Sequence, residues 1–234
     1  MSPVYRLLLR TLTSRARLVA MGFFALLPVI VAVAIRARPG ADRGQAGFAL
    51  IDAYGLSLLA PVTALAFASA ALGDLVDDRT LVYIWLRPLP TWQLAGAALG
   101  ATLTIAVPLT VVPLVAAAAI SGAGGSLVSA TAASSAVAVV GYGSVFLTLG
   151  LRVQRALVWG LAYVLIWEGA VGRTARGAAR LSIGIHARSL LAHLDHHSLP
   201  KLSTSAPVAV FAPLAAAAAA VALTVRWLAT ADVA

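Results

Sequence analysis

Apolar residues fall along this chain in long blocks, not in alternation. Six blocks stand out: Leu18–Ile35, Phe48–Leu72, Leu94–Ile120, Leu127–Leu151, Arg155–Val171 and Pro207–Arg226. A helix needs about 20 largely apolar residues to cross the hydrocarbon core, so each block reads as a span, the fifth being short and the first marginal. The alternating ten-residue segments of a membrane barrel are absent. The connections differ in character. Arg36–Gly47 is a short polar loop, Ser121–Ser126 a tight uncharged turn, Arg152–Gln154 a small basic turn, and Gly172–Ala206 a long semi-polar segment. The pattern predicts an all-α membrane protein of six transmembrane helices, forming a single domain over residues 1–234 without internal repeats.

Composition strengthens this picture. The chain is 61% hydrophobic and 11% charged, with a mean hydropathy of +0.95, whereas soluble domains carry about 25% charged residues. The net charge of +9 does not point to nucleic acid, because the basic residues sit in short loops between apolar blocks. Anionic lipid headgroups are their expected neighbours. Cysteine is absent, which removes disulfides, cysteine zinc sites and thiol catalysis. Arginine outnumbers lysine 16 to 1, a trait of GC-rich bacterial genomes. No small-residue cleavage site ends the first block before Arg36, so it reads as a retained span.

An even number of spans puts both termini on one side. That side holds Arg6, Arg10, Arg15, Arg17, Arg79, Arg87, Arg152, Arg155 and Arg226, nine basic residues against eight opposite. The sides nearly balance, and the N-terminal cluster favours termini in the cytoplasm. Pro108 and Pro113 fall inside the third span, where each removes a backbone donor and marks a candidate bend. Ala130, Ser134 and Ala138, with Gly141 just beyond, give the fourth span a face that another helix can approach closely.

Residues 73–97, GDLVDDRTLVYIWLRPLPTWQLAGA, break the apolar pattern. Asp74, Asp77 and Asp78 lead through Arg79 and Thr80 into apolar Leu81–Leu86, and Pro88 and Pro90 close the run. Asp77 or Asp78 suits the N-cap and positive dipole end of a short helix. Arg87, preceding a proline, is pushed out of helical geometry. About nine residues, roughly 13 Å, remain helical. Leu81, Tyr83 and Trp85 leave no clean polar face, so a protein partner and the bilayer surface are expected to cover the element. A plain interfacial helix, with Tyr83 and Trp85 at headgroup level, is the simpler alternative.

This element and the span pattern resemble the permease subunits of type-2 ABC exporters. In that family an acidic stretch, a Gly-Thr-Leu-like step, a short apolar helix and a proline lie between spans two and three. Here they read as Asp77-Asp78-Arg79-Thr80-Leu81, Val82–Leu86 and Arg87-Pro88-Leu89-Pro90. Arg79 stands where the family often has Gly, and Thr91-Trp92 where a basic residue is common. Leu165-Ile166-Trp167-Glu168 and Leu181-Ser182-Ile183 resemble the family's close of span five and the outer segment after it. The resemblance implies a cytoplasmic coupling helix around Asp78–Arg87 and an extracellular re-entrant segment between spans five and six. It implies a multi-pass protein of the cell membrane, with a second permease chain, identical or paralogous, and a separate ABC ATP-binding subunit as partners. The chain has no G-x-x-x-x-G-K-[ST] loop and its one lysine is Lys201. It is therefore not expected to be an enzyme or to hold a cofactor; ATP and Mg would be used by the partner. A non-transporting membrane scaffold that docks a cytoplasmic partner is the alternative function.

Other polar residues could also carry chemistry. Glu168 and Asp52 fall near the predicted outer ends of the fifth and second spans, where they can reach headgroup water or pair with Arg173 or Arg38. Ionisable groups at membrane depth mark functional sites by default, so Glu168 is a candidate for the transport path or outer gate. Arg173, Arg176 and Arg180 share one helix face and suit an outer rim that meets an anionic headgroup. His186, His193, His196 and His197, with Asp195, read as a solvated polar turn and not as a metal site. Gly143-Ser144 has no histidine on a facing span, so no serine nucleophile is assigned.

Overall fold

The computed structural model describes residues 3–40, 42–77, 90–171, 182–196 and 204–230, and within them the chain is helical, with no strand. The first helix, α1 (Pro3–Leu12), turns Val4, Leu8 and Leu12 inward at a spacing of four. Arg6 and Arg10 lie on its other faces. The 3.6-residue turn makes that spacing a single stripe. This short amphipathic helix precedes the first span and was not foreseen from the apolar blocks.

Among the described residues five helices are long and apolar enough to cross a membrane: Arg15–Ala37, Arg43–Asp74, Thr91–Ser121, Gly125–Arg152 and Ala206–Thr230. We label the first α2 (Arg15–Ala37). The second is continuous but changes pitch: α3 (Arg43–Leu50), a wider π-helical stretch π1 (Ile51–Leu59), then α4 (Ala60–Asp77). The wide turn is visible in the amide of Ala60, which donates to the carbonyl of Gly55, five residues back. The others are α5 (Thr91–Ser121), α6 (Gly125–Arg152) and α9 (Ala206–Thr230). The block expected as the fifth span forms α7 (Ala156–Ala162) and a second π-helical stretch, π2 (Tyr163–Val171). Its apolar helix, Ala156–Glu168, is shorter than the other five. The short α8 (Ile183–Leu194) follows.

The helices pass between two ends. At the near end, α2 begins, α4 finishes and α6 turns into α7; Arg152 there lies 5.3 Å from the centre of the Trp227 ring in α9. At the far end, Arg36 donates to the Ile120 carbonyl at 3.3 Å and Arg43 to the Arg36 carbonyl at 3.4 Å. These cations serve helix carbonyls that have no intrahelical donor. Gly122, with φ 75, supplies the left-handed residue that ends α5.

The span Arg43–Asp74 is the centre of the bundle, with 83% of its apolar window buried, against 17% for α2. Helix α6 packs on α4, α5, α8 and α9. Its small-residue face does what the spacing suggested: Ala130, Ser134 and Ala138 are fully buried. A β-carbon on Gly150 would collide with the Ser69 backbone of α4, so α4 and α6 meet backbone to backbone there. The Thr148 hydroxyl joins α6 to α9, 2.9 Å from Thr224 Oγ1 and 3.0 Å from the Ala220 carbonyl. Pro108 and Pro113 both lie inside the unbroken α5.

Candidate functional site

Both π-helical stretches carry a carboxylate, and α8 meets both. A π turn widens the helix and re-aims the side chains within it, and such turns recur at functional sites. Asp52 belongs to π1 and Glu168 to π2.

Arg188 of α8 grips Asp52 in a two-bond fork. Its Nε donates to Oδ1, and its Nη2 donates to Oδ2 at 2.6 Å. The planar guanidinium matches the carboxylate edge, which gives this pairing its strength and direction. The two side chains are 23% and 13% exposed. The sequence offered Arg173 or Arg38 as partners for Asp52; among the described residues its partner is Arg188. Its partner comes from 136 residues away.

Glu168 is held from three directions. Its Oε2 accepts the Ser182 hydroxyl at 2.5 Å, and its Oε1 accepts from the Tyr163 hydroxyl at 3.4 Å and the Gly184 amide at 3.5 Å. Ser182 is also the N-cap of α8, accepting from the Ile185 amide at 3.1 Å. The same serine thus starts the helix and anchors it to π2. The Tyr142 side chain of α6 is fully buried, and its hydroxyl has no hydrogen-bond partner among the described residues. A β-carbon at Gly184 would stand 2.6 Å from Glu168 Oε2 and 2.8 Å from the Tyr142 hydroxyl. Only glycine lets α8 come this close. Glu168 thus meets α8 at its first turn, beside Tyr142 of α6.

The arrangement can hold charge and position a helix. With both acids ionised, Asp52, Glu168 and Arg188 sum to one negative charge among hydroxyl donors. It offers no nucleophile–base pair. The Ser182 hydroxyl is engaged by Glu168 and by its capping bond, and His186 lies 2.7 Å from the Ser182 carbonyl oxygen, not its hydroxyl. The Ser144 hydroxyl donates to the Val140 carbonyl at 2.9 Å.

His186 corrects a second expectation. It is buried within α8 and is not part of a solvated turn. His193, two turns further along α8, lies 2.7 Å from the Ser189 carbonyl oxygen. Among the described residues, no three His, Cys, Asp or Glu side chains gather as a metal site.

The expected docking element is only partly visible. Asp74 is in α4, where it pairs with Arg17 of α2 at 3.2 Å, and Asp77 ends α4. Asp78, Arg79, Thr80, Leu81, Tyr83, Trp85, Arg87 and Pro88 lie outside the described residues, as do Arg173, Arg176 and Arg180. Sequence reasoning missed Arg188, Ser182, Tyr142 and Arg17 as working residues. Ser182 carried a readable signal, a capping serine before an apolar run; the others gave none. Compared with protein-family models, curated proteins and solved structures, the chain matches none.

Proposed function

We propose that the chain is the transmembrane permease subunit of an ABC exporter, working as one of two such chains with separate ATP-binding subunits. The observation that carries this reading is the Asp77–Pro90 element and where it falls. In sequence it connects two long apolar helices, α4 and α5, and α4 brings Asp74 to Arg17 at the start of α2. Asp77-Asp78-Arg79-Thr80-Leu81, an apolar run and Pro88 make that connection unlike a simple turn. The near end is then cytoplasmic, α7 with π2 completes a sixth crossing, and α8 belongs to a segment that re-enters from outside.

ATP-driven closure of the partner subunits would push on the Asp78–Arg87 knob and tilt α4 and α5. Helix α4 packs on α6, so the push is passed to the central pair. Helix α8 is tied to π1 through Asp52 and to π2 through Glu168. Those ties hold the outer part of the path closed until the spans move, which makes Glu168 an outer-gate residue.

The test is a double substitution, Asp77→Arg with Asp78→Arg. Complexes drawn from native membranes in mild detergent are assayed for vanadate-sensitive ATP hydrolysis. The wild-type chain should carry the activity and the double variant should lose most of it. Equal activity in both would contradict the docking role.

A further inference from the structure

A cleft opens at the near end between α2, α4 and the turn that joins α6 to α7. Arg17, Ser69, Gly73, Asp74, Arg155 and Leu157 line it. Its two arginines come from sequence positions far apart, and the fold brings them to one opening.

The Arg17 guanidinium is only half used. Its Nη2 donates to Asp74 Oδ2 at 3.2 Å, whereas its Nη1 is buried and has no hydrogen-bond partner among the described residues. A buried donor without an acceptor is costly, and more so when it is charged. Arg155 stands in the α6–α7 turn with φ 54, a left-handed conformation rare for a residue that carries a β-carbon. The Ser69 hydroxyl donates to the Leu65 carbonyl at 2.6 Å, and its oxygen accepts from neither arginine. Asp74 is the one carboxylate in the lining among the described residues; its side chain is 52% exposed and engages the other nitrogen of Arg17. Among the described residues two guanidinium groups stand against one carboxylate, and one buried N–H donor is idle.

We propose that this cleft binds an anionic phosphate group. Guanidinium groups match phosphate oxygens in geometry and charge. The cleft lies where α2 starts and α6 finishes, at the ends of two membrane-crossing helices. Phosphodiesters of anionic lipids are concentrated at that level, and basic pockets between spans hold such headgroups. Free phosphate has the same chemistry and is the other source. The bound anion supplies the acceptor that Arg17 Nη1 lacks and bridges α2 to the α6–α7 turn. The assignment requires only that the chain crosses a membrane and is independent of any exporter role.

Native mass spectrometry of the purified full chain in neutral detergent tests it. The probes are phosphatidylglycerol, diacylglycerol as the phosphate-free lipid, and inorganic phosphate. Phosphatidylglycerol should be retained over diacylglycerol, and Arg17→Gln and Arg155→Gln should each lower that retention about fivefold. Arg155 is exposed and Arg155→Gln removes no hydrogen bond seen in the fold, so that variant keeps the test valid if Arg17→Gln is unstable. Arg38→Gln, at the far end, should change nothing. Binding of inorganic phosphate alone, with the same dependence on Arg17 and Arg155, would identify free phosphate as the source. Equal retention of phosphatidylglycerol by wild type and both near-end variants, with no phosphate binding, would overturn the assignment.

Discussion

Two Asp–Arg pairs among the described residues differ in everything except their chemistry. Asp52 and Arg188 meet inside the bundle through two parallel hydrogen bonds, with side chains 13% and 23% exposed. Asp74 and Arg17 meet at the near end through one contact of 3.2 Å, with side chains 52% and 27% exposed. Water and salt screen the second pair, whereas the first has only its partner and the surrounding helices. The inner pair fixes where a helix sits. The near-end pair leaves half of its guanidinium unused, beside the segment proposed to meet a motor. Geometry and burial, more than residue type, decide which pair holds the structure together.

The sharpest way to break this comparison is Arg188→Ala. Asp52 would be left charged and unpaired inside the bundle, at a cost of about 3–5 kcal/mol. Thermal unfolding in detergent should fall strongly, and α8 amides should exchange faster with deuterium. Replacing both Asp52 and Arg188 by leucine should recover much of the loss, since the stranded charge is then gone. Ser182→Ala comes next. It removes the cap of α8 and a hydrogen bond to Glu168, for about 1–2 kcal/mol, with faster exchange confined to the first turn of α8. Asp74→Asn should be the mildest, about 0–1 kcal/mol, and its effect should shrink further in high salt. A loss from Asp74→Asn as large as that from Arg188→Ala would remove the distinction between the two pairs.

The five long spans were legible because a membrane helix needs only a long apolar block, and each block predicts itself without reference to the others. Helix α1 was written in Val4, Leu8 and Leu12, but ten residues with arginines interspersed fall outside any span criterion. Of the fifth block, the sequence showed the apolar character but not the switch to a π-helical turn at Tyr163. Neither π1 nor π2 contains a proline that would mark the change of pitch in the sequence. The site divides in the same way. Glu168 stood out as an acid in an apolar run, whereas its contacts with Ser182 and Gly184 needed α8 to fold back on π2. Arg188 looked like one more loop arginine until α8 brought it to Asp52. Tyr142 looked like an ordinary core aromatic until Gly184 opened space beside its hydroxyl.

The central claim is that the knob between α4 and α5 faces the cytoplasm, where an ATP-binding subunit can reach it. The chain contains no cysteine, so Thr80→Cys introduces a single thiol without background. A membrane-impermeant maleimide applied to intact cells should leave that thiol unlabelled, and the same reagent applied to inverted vesicles lacking the ATP-binding subunit should label it. Labelling in intact cells and protection in inverted vesicles would put the knob outside, and the permease reading would be wrong.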